Sequence, residues 1–205
     1  MLNNHGFDLW ADGYDKSVGL SDEADRYPFA GYKRILGEIY ARLLLSGCKS
    51  VLDIGFGTGT LTQKLYEHGC TVYGQDFSAR MLQLAQEKMP GAHLYQGDFS
   101  QGLASPLRQV RYDAIIATYS LHHLTDARKC SLIRELLPLL KPGGRLYVAD
   151  VAFTTRRELE QCRAAAGSDW DEDEIYFVAE ELQSAFPGMT FEPFSACAGI
   201  LTFSS

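Results

Sequence analysis

The chain has 205 residues with 46% hydrophobic content, enough for one globular domain with a sizeable core. Its 26 acidic and 19 basic residues give a net charge of −7, which disfavours nucleic acid as a partner because backbone binding requires Lys and Arg to neutralise phosphates. Five cysteines, odd in number and without a C-x-x-C pair, give neither a disulfide framework nor a zinc ligand pattern.

The start, Met1 to His5, lacks a basic region followed by an apolar one, and no apolar run approaches the roughly 18 residues of a membrane span. The expectation is a cytoplasmic protein with no membrane partner. Trp10, Tyr14, Tyr27, Phe29 and Tyr32 follow as an aromatic-rich stretch. Tyr14 and Tyr32 are the candidates for a lid over a ligand, since aromatic faces suit a cation, whereas Trp10 and Phe29 are expected to pack the leading helix on a sheet. That helix is predicted over 32–45, with Ile35, Leu36, Ile39 and Leu43 on one side.

Val51 to Ile54 reads as a buried strand that runs into Gly55, Gly57, Thr58 and Gly59 and opens a helix near Thr60. A glycine turn between strand and helix exposes backbone N–H groups and admits a close-fitting nucleotide-like ligand. In a dinucleotide site the third glycine would occupy the position of Thr60, and Asp53 would face a pyrophosphate; an acid two residues before the first glycine suits the cationic end of a sulfonium amino acid better than NAD. Thr71 to Gly74 leads to Asp76, which is placed to take both ribose hydroxyls, and Ser78 is expected to cap a helix over 79–89. Ala92 to Tyr95 leads to Asp98, placed to accept from an adenine amino group, with Phe77 and Phe99 flanking the base.

A fourth strand over 113–118 is followed by Thr118-Tyr119-Ser120-Leu121-His122-His123-Leu124. His122 and His123 are the candidate general bases, with His123 slightly favoured as the one beside the cofactor; the alternative is that one packs and the other caps the next helix. No additional metal ligands are evident near them, and no metal is expected. A helix is predicted over 126–140 despite Pro138, a strand over 146–151, helices over 156–166 and 178–186, and a terminal hairpin of 190–194 with 200–204. Asp169 to Glu174 reads as a solvated charge run.

Taken together, Val51 to Gly59, Gly74-Gln75-Asp76-Phe77-Ser78, Gly97-Asp98-Phe99, Tyr112 to Ile116 and Leu140 to Leu146 resemble the class I S-adenosylmethionine-dependent methyltransferases. The segments Phe7 to Asp15 and Ser195 to Phe203 are similar to small bacterial members of that group. The resemblance implies an α/β, Rossmann-like fold of seven strands, mostly parallel, with helices on both faces and a C-terminal antiparallel hairpin. It implies S-adenosylmethionine as cofactor, bound by Asp53, Gly55, Gly57, Thr58, Gly59, Asp76, Phe77, Met81, Asp98, Phe99 and Tyr119. The organisation expected is one domain over 1–205 with 1–46 as a helical cover, as monomer or homodimer, acting on a small-molecule acceptor by in-line transfer. The alternative is a non-catalytic module that senses the cofactor or its demethylated product. No Asn/Asp-Pro-Pro-aromatic turn follows the fourth strand, which further disfavours DNA methylation.

Overall fold

Successive residues of the central strands turn to opposite faces, and this alternation builds two cores in the computed structural model, which describes residues 26–204. Val51, Ile116 and Ala149 belong to one core, whereas Leu52, Ile115 and Val148 belong to the other. The strands are therefore apolar on both sides, as a sheet covered by helices on both faces must be.

In chain order the elements are α1 (Tyr32–Leu45), β1 (Ser50–Ile54), α2 (Thr60–Glu67), β2 (Thr71–Asp76), α3 (Ala79–Lys88), β3 (His93–Gln96) and β4 (Tyr112–Thr118). Then come α4 (Asp126–Leu136), β5 (Leu140–Phe153), α5 (Arg156–Ala166), β6 (Phe177–Val178), α6 (Ala179–Leu182), β7 (Thr190–Pro193) and β8 (Ala198–Ser204). The sheet order is β3-β2-β1-β4-β5-β8-β7. β1 to β5 run parallel, and β8 lies antiparallel between β5 and β7. The predicted α/β fold with its inserted terminal hairpin is the one observed.

Three element boundaries differ from the sequence expectations. The helix predicted over 126–140 stops at Leu136 and tightens into a 3₁₀ turn over Leu137–Leu139, because Pro138 has no N–H to continue the α-helical ladder. The helix predicted over 178–186 shrinks to α6, since Phe177 and Val178 are drawn into pairing with Ala152 and Phe153 as an eighth, two-residue strand. β5 is longer than 146–151 because its pairing with β4 resumes on both sides of a bulge: Tyr112 pairs with Leu140, and Ala114 with Arg145.

At the amino ends of β1 and β4 a polar bracket fixes the register. Asp113 Oδ2 accepts from the backbone N–H groups of Lys49 and Ser50 at 3.0 and 2.8 Å, and Lys141 Nζ lies 2.9 Å from Oδ1. These contacts leave the opposite, carboxyl ends of the strands for a site.

Candidate active site

The carboxyl ends of β1 to β4 open into a cavity of about 450 Å³, the place where ligands enter open α/β sheets. Asp53, Gly55, Gly57, Thr58, Asp76, Phe77, Met81, Asp98, Phe99, Tyr119, Tyr32, His122 and His123 all line it. Gly59 does not. It caps α2 in a left-handed conformation, and a Cβ there would lie 3.0 Å from Met89 Cε, so its service is to seat α2 against α3. Tyr14 and Trp10 lie outside the described residues.

The glycine loop is shaped by two different constraints. Gly55 has φ +73°, and a Cβ on it would meet Ser120 Cβ at 2.4 Å, because Ser120 Oγ reaches across to the Ile54 carbonyl at 2.7 Å. Gly57 has φ +54°, and a Cβ on it would project into open space rather than protein. The first glycine serves the fold; the second keeps the cavity wall low.

Asp53 is 1% exposed, and Thr62 donates to its Oδ2 at 2.8 Å while Oδ1 is buried with no hydrogen-bond partner. Burial pushes this carboxyl up to about 7, with Thr62 acting against the shift and the charge of Asp76 adding to it. A buried carboxylate oxygen without a donor is the complement of a cationic ligand. Asp76 is oriented by two backbone donors, Gly57 N–H on Oδ2 at 2.8 Å and Ser78 N–H on Oδ1 at 2.9 Å. A carboxylate accepts through both of its oxygens, which suits a diol. Asp98 lies beyond β3 and caps a 3₁₀ turn by accepting from Ser100 N–H at 2.8 Å. Ser78 caps α3 through Met81 N–H, which presents Met81 to the cavity.

Around the rim, Tyr32 and Phe29 pack on Tyr119 with ring centroids 5.0 and 5.4 Å apart. Phe29 therefore does not simply seat the leading helix as expected: it precedes α1 and lines the cavity. Tyr119 adopts φ +52°, a conformation rarely seen for a bulky residue, and its N–H is held by the Ala149 carbonyl at 2.7 Å.

At the far end stand the two histidines. His122 is 7% exposed, with Nδ1 2.6 Å from Asp150 Oδ1. Asp150 is fully buried, and it also accepts from Leu121 and Val151 N–H at 3.2 and 2.9 Å. Burial pulls the His122 imidazole down, but the charge and hydrogen bond of Asp150 outweigh it, and the net direction is upward. Burial and the neighbouring His122 push His123 down to about 3, leaving it neutral. The two rings meet edge to face at 4.1 Å between centroids.

Sequence reasoning missed Asp150 and Glu174. Asp150 was legible as the one acid in the apolar run Leu146 to Val151. Glu174 was hidden in the acidic run, whose Asp169, Asp171, Glu172 and Asp173 are indeed exposed, but Glu174 Oε1 lies 3.4 Å from His122 Nε2. Burial pushes its carboxyl up, opposed by His122 and the Tyr176 hydroxyl. The expectation that the histidines lack a companion ligand is thereby corrected: His122, His123 and Glu174 bring ligand atoms within 4.8 Å of one another.

A sheet of this order, with its cavity at the carboxyl ends and acids at the tips of β1 and β2 and just beyond β3, defines a Rossmann-like nucleotide-cofactor enzyme. A family described as methyltransferase domain matches residues 51–144. The chain is 40% identical over 188 residues to an uncharacterised methyltransferase of Geobacillus kaustophilus, covering 88% of this chain and 84% of that protein. It is 41% identical over 180 residues to one of Anoxybacillus flavithermus, covering 88% and 80%. The chain belongs to the methyltransferase family, whose methyl donor is S-adenosylmethionine. The fold matches magnesium protoporphyrin IX methyltransferase of Synechocystis with bound S-adenosylhomocysteine (TM-score 0.65, 21% identity, 85% of this chain and 83% of that one). It also matches the DhpI complex with S-adenosylmethionine (TM-score 0.67, 19% identity, 96% and 92%). Among the described residues no helix is long and apolar enough to cross a membrane.

Proposed function

We propose that the protein methylates a small-molecule acceptor by in-line transfer inside this cavity. The observation that carries the reading is that the carboxylate row and the histidine cluster line one and the same cavity of about 450 Å³, where a compact acceptor can meet the donor. When bound, S-adenosylmethionine supplies a methyl group on a sulfonium, a leaving group that is already activated, so the protein's work is mainly alignment and exclusion of water.

In this reading Asp53 neutralises the cationic amino-acid end, and the low wall at Gly57 lets the backbone approach it. Asp76 accepts from the ribose hydroxyls, Asp98 from the adenine amino group, and Phe77 and Phe99 flank the base. Thr58 and Met81 complete the wall. Tyr32, Phe29 and Tyr119 cover the donor and keep water from the sulfonium. The acceptor enters on the side of His122 and His123, the catalytic candidates, and the cluster they form with Glu174 orients its nucleophilic atom.

The test is release of S-adenosylhomocysteine from the purified full chain offered pools of small thiols, phenols and amines. Turnover with one pool, and loss of that turnover in His122→Gln, supports the reading. Cofactor binding without turnover in any pool, combined with turnover on protein or RNA fractions, would overturn it.

A further inference from the structure

At the acceptor end of the cavity, the wiring of one histidine leaves a gap that its neighbours do not close. Asp150 is fully buried and receives two backbone N–H groups, so it acts as an acceptor and takes Nδ1–H from His122 at 2.6 Å. Asp150 thereby fixes Nδ1 as the nitrogen that keeps its proton, and leaves Nε2 as the one that can exchange a proton for a cation. Nε2 lies 3.4 Å from Glu174 Oε1, and the other carboxylate oxygen of Glu174 is engaged by the Tyr176 hydroxyl at 2.7 Å.

A positive charge holds this pair together, supplied either by a proton that makes His122 an imidazolium or by a cation in that proton's place. A proton on Nε2 is the simplest, but 3.4 Å exceeds the roughly 2.7–3.2 Å of an N–H···O bond. His123 brings a ring nitrogen into the same cluster, with all three ligand atoms within 4.8 Å of one another, and all three residues line the cavity.

We propose that His122, His123 and Glu174 bind a divalent metal ion, zinc by the nature of the donors, with a coordination position open to the methyl acceptor. Two imidazoles and one carboxylate are a zinc ligand set, and three protein ligands with a free position are the catalytic rather than structural arrangement. Calcium and magnesium would instead call for oxygen donors. Asp150 on the far nitrogen of His122 is the carboxylate support that metal-bound histidines commonly have. The backbone fixes the two halves of the cluster to each other, since Ile175 N–H donates to the His122 carbonyl at 2.8 Å.

The role of the ion toward an acceptor rests on the proposed function: a thiol or phenol bound at the open position would release its proton to water and present its lone pair to the methyl carbon. Binding of the ion itself does not depend on that reading.

The experiment uses untagged full-length protein stripped with a chelator, dialysed against Zn²⁺, and assayed for bound metal, with Co²⁺ as an absorbing probe. The expected result is one equivalent of Zn²⁺ and a visible Co²⁺ spectrum. Glu174→Gln and His123→Asn should weaken binding on the order of a hundredfold, and Asp150→Asn on the order of tenfold. His68→Asn, an exposed histidine elsewhere, should bind as the unmodified protein does. Absence of stoichiometric Zn²⁺ and Co²⁺ binding by the unmodified protein overturns the proposal, as does equal binding by Glu174→Gln and His123→Asn. Cofactor calorimetry on the same samples separates the two ideas: metal-free protein that binds cofactor and turns over an acceptor defeats the ion alone.

Discussion

Asp53 carries the most informative electrostatics of any single residue in the proposed cofactor half of the cavity. Because burial raises it from 3.8 to about 7, the folded chain holds a proton between those values that the unfolded chain has shed. Its contribution to stability therefore falls as pH rises from about 4 to about 7 and then levels off. A cationic ligand reverses the preference, since it favours the ionised carboxylate. Cofactor affinity should thus rise on the order of tenfold between about pH 5.5 and pH 8, and the rise should flatten in Asp53→Asn. Calorimetry across that range checks it; a pH-independent affinity in the unmodified protein would remove Asp53 from the site. The glycines make a paired prediction. Gly55→Ala should lower the melting temperature sharply, because its Cβ meets Ser120 at 2.4 Å, whereas Gly57→Ala should leave a folded protein with weakened cofactor binding. Asp53 and Gly57 were legible in the sequence because their spacing around a strand end is a local property. Glu174 was not, since its partner His122 is distant in the chain and nothing in an acidic run marks the member that turns inward.

At the scale of elements, the strands and helices that carry the proposed cofactor residues were the most legible part of the chain. β2, α3 and the turn between them follow from Thr71 to Gly74, the Ser78 cap and Pro90, each a local signal. Ser78→Ala removes the acceptor for Met81 N–H and should cost about 1 kcal/mol, read as a lowered midpoint in chemical denaturation. An unchanged midpoint would mean that tertiary packing alone holds that helix start. The elements misjudged from sequence were those fixed by distant partners. Val178 has helical spacing with Leu182 and Phe186, yet pairing of Phe177 and Val178 with β5 wins, because a buried backbone must find its hydrogen bonds. The aromatic rim shows the same dependence: Tyr32 was named as a lid candidate for its aromatic face, but the contact of Phe29 with Tyr119 depends on β4 arriving beside it.

For the molecule as a whole, strand order was available only through resemblance, since periodicity tells that strands exist and not which neighbours they take. The insertion of β8 between β5 and β7 follows from the antiparallel register running from Arg145 with Ser204 to Val151 with Ala198. That arrangement leaves the carboxyl ends of β1 to β4 as the open end of the sheet, and the claim at the centre of the account is that the acids there hold the methyl donor. The direct measurement is the dissociation constant of S-adenosylmethionine for Asp76→Asn combined with Asp98→Asn, with thermal melts confirming that the fold survives. Two lost charge-assisted contacts, at about 1.5–3 kcal/mol each, predict affinity weakened by at least roughly two orders of magnitude. A dissociation constant equal to that of the unmodified protein would contradict the account.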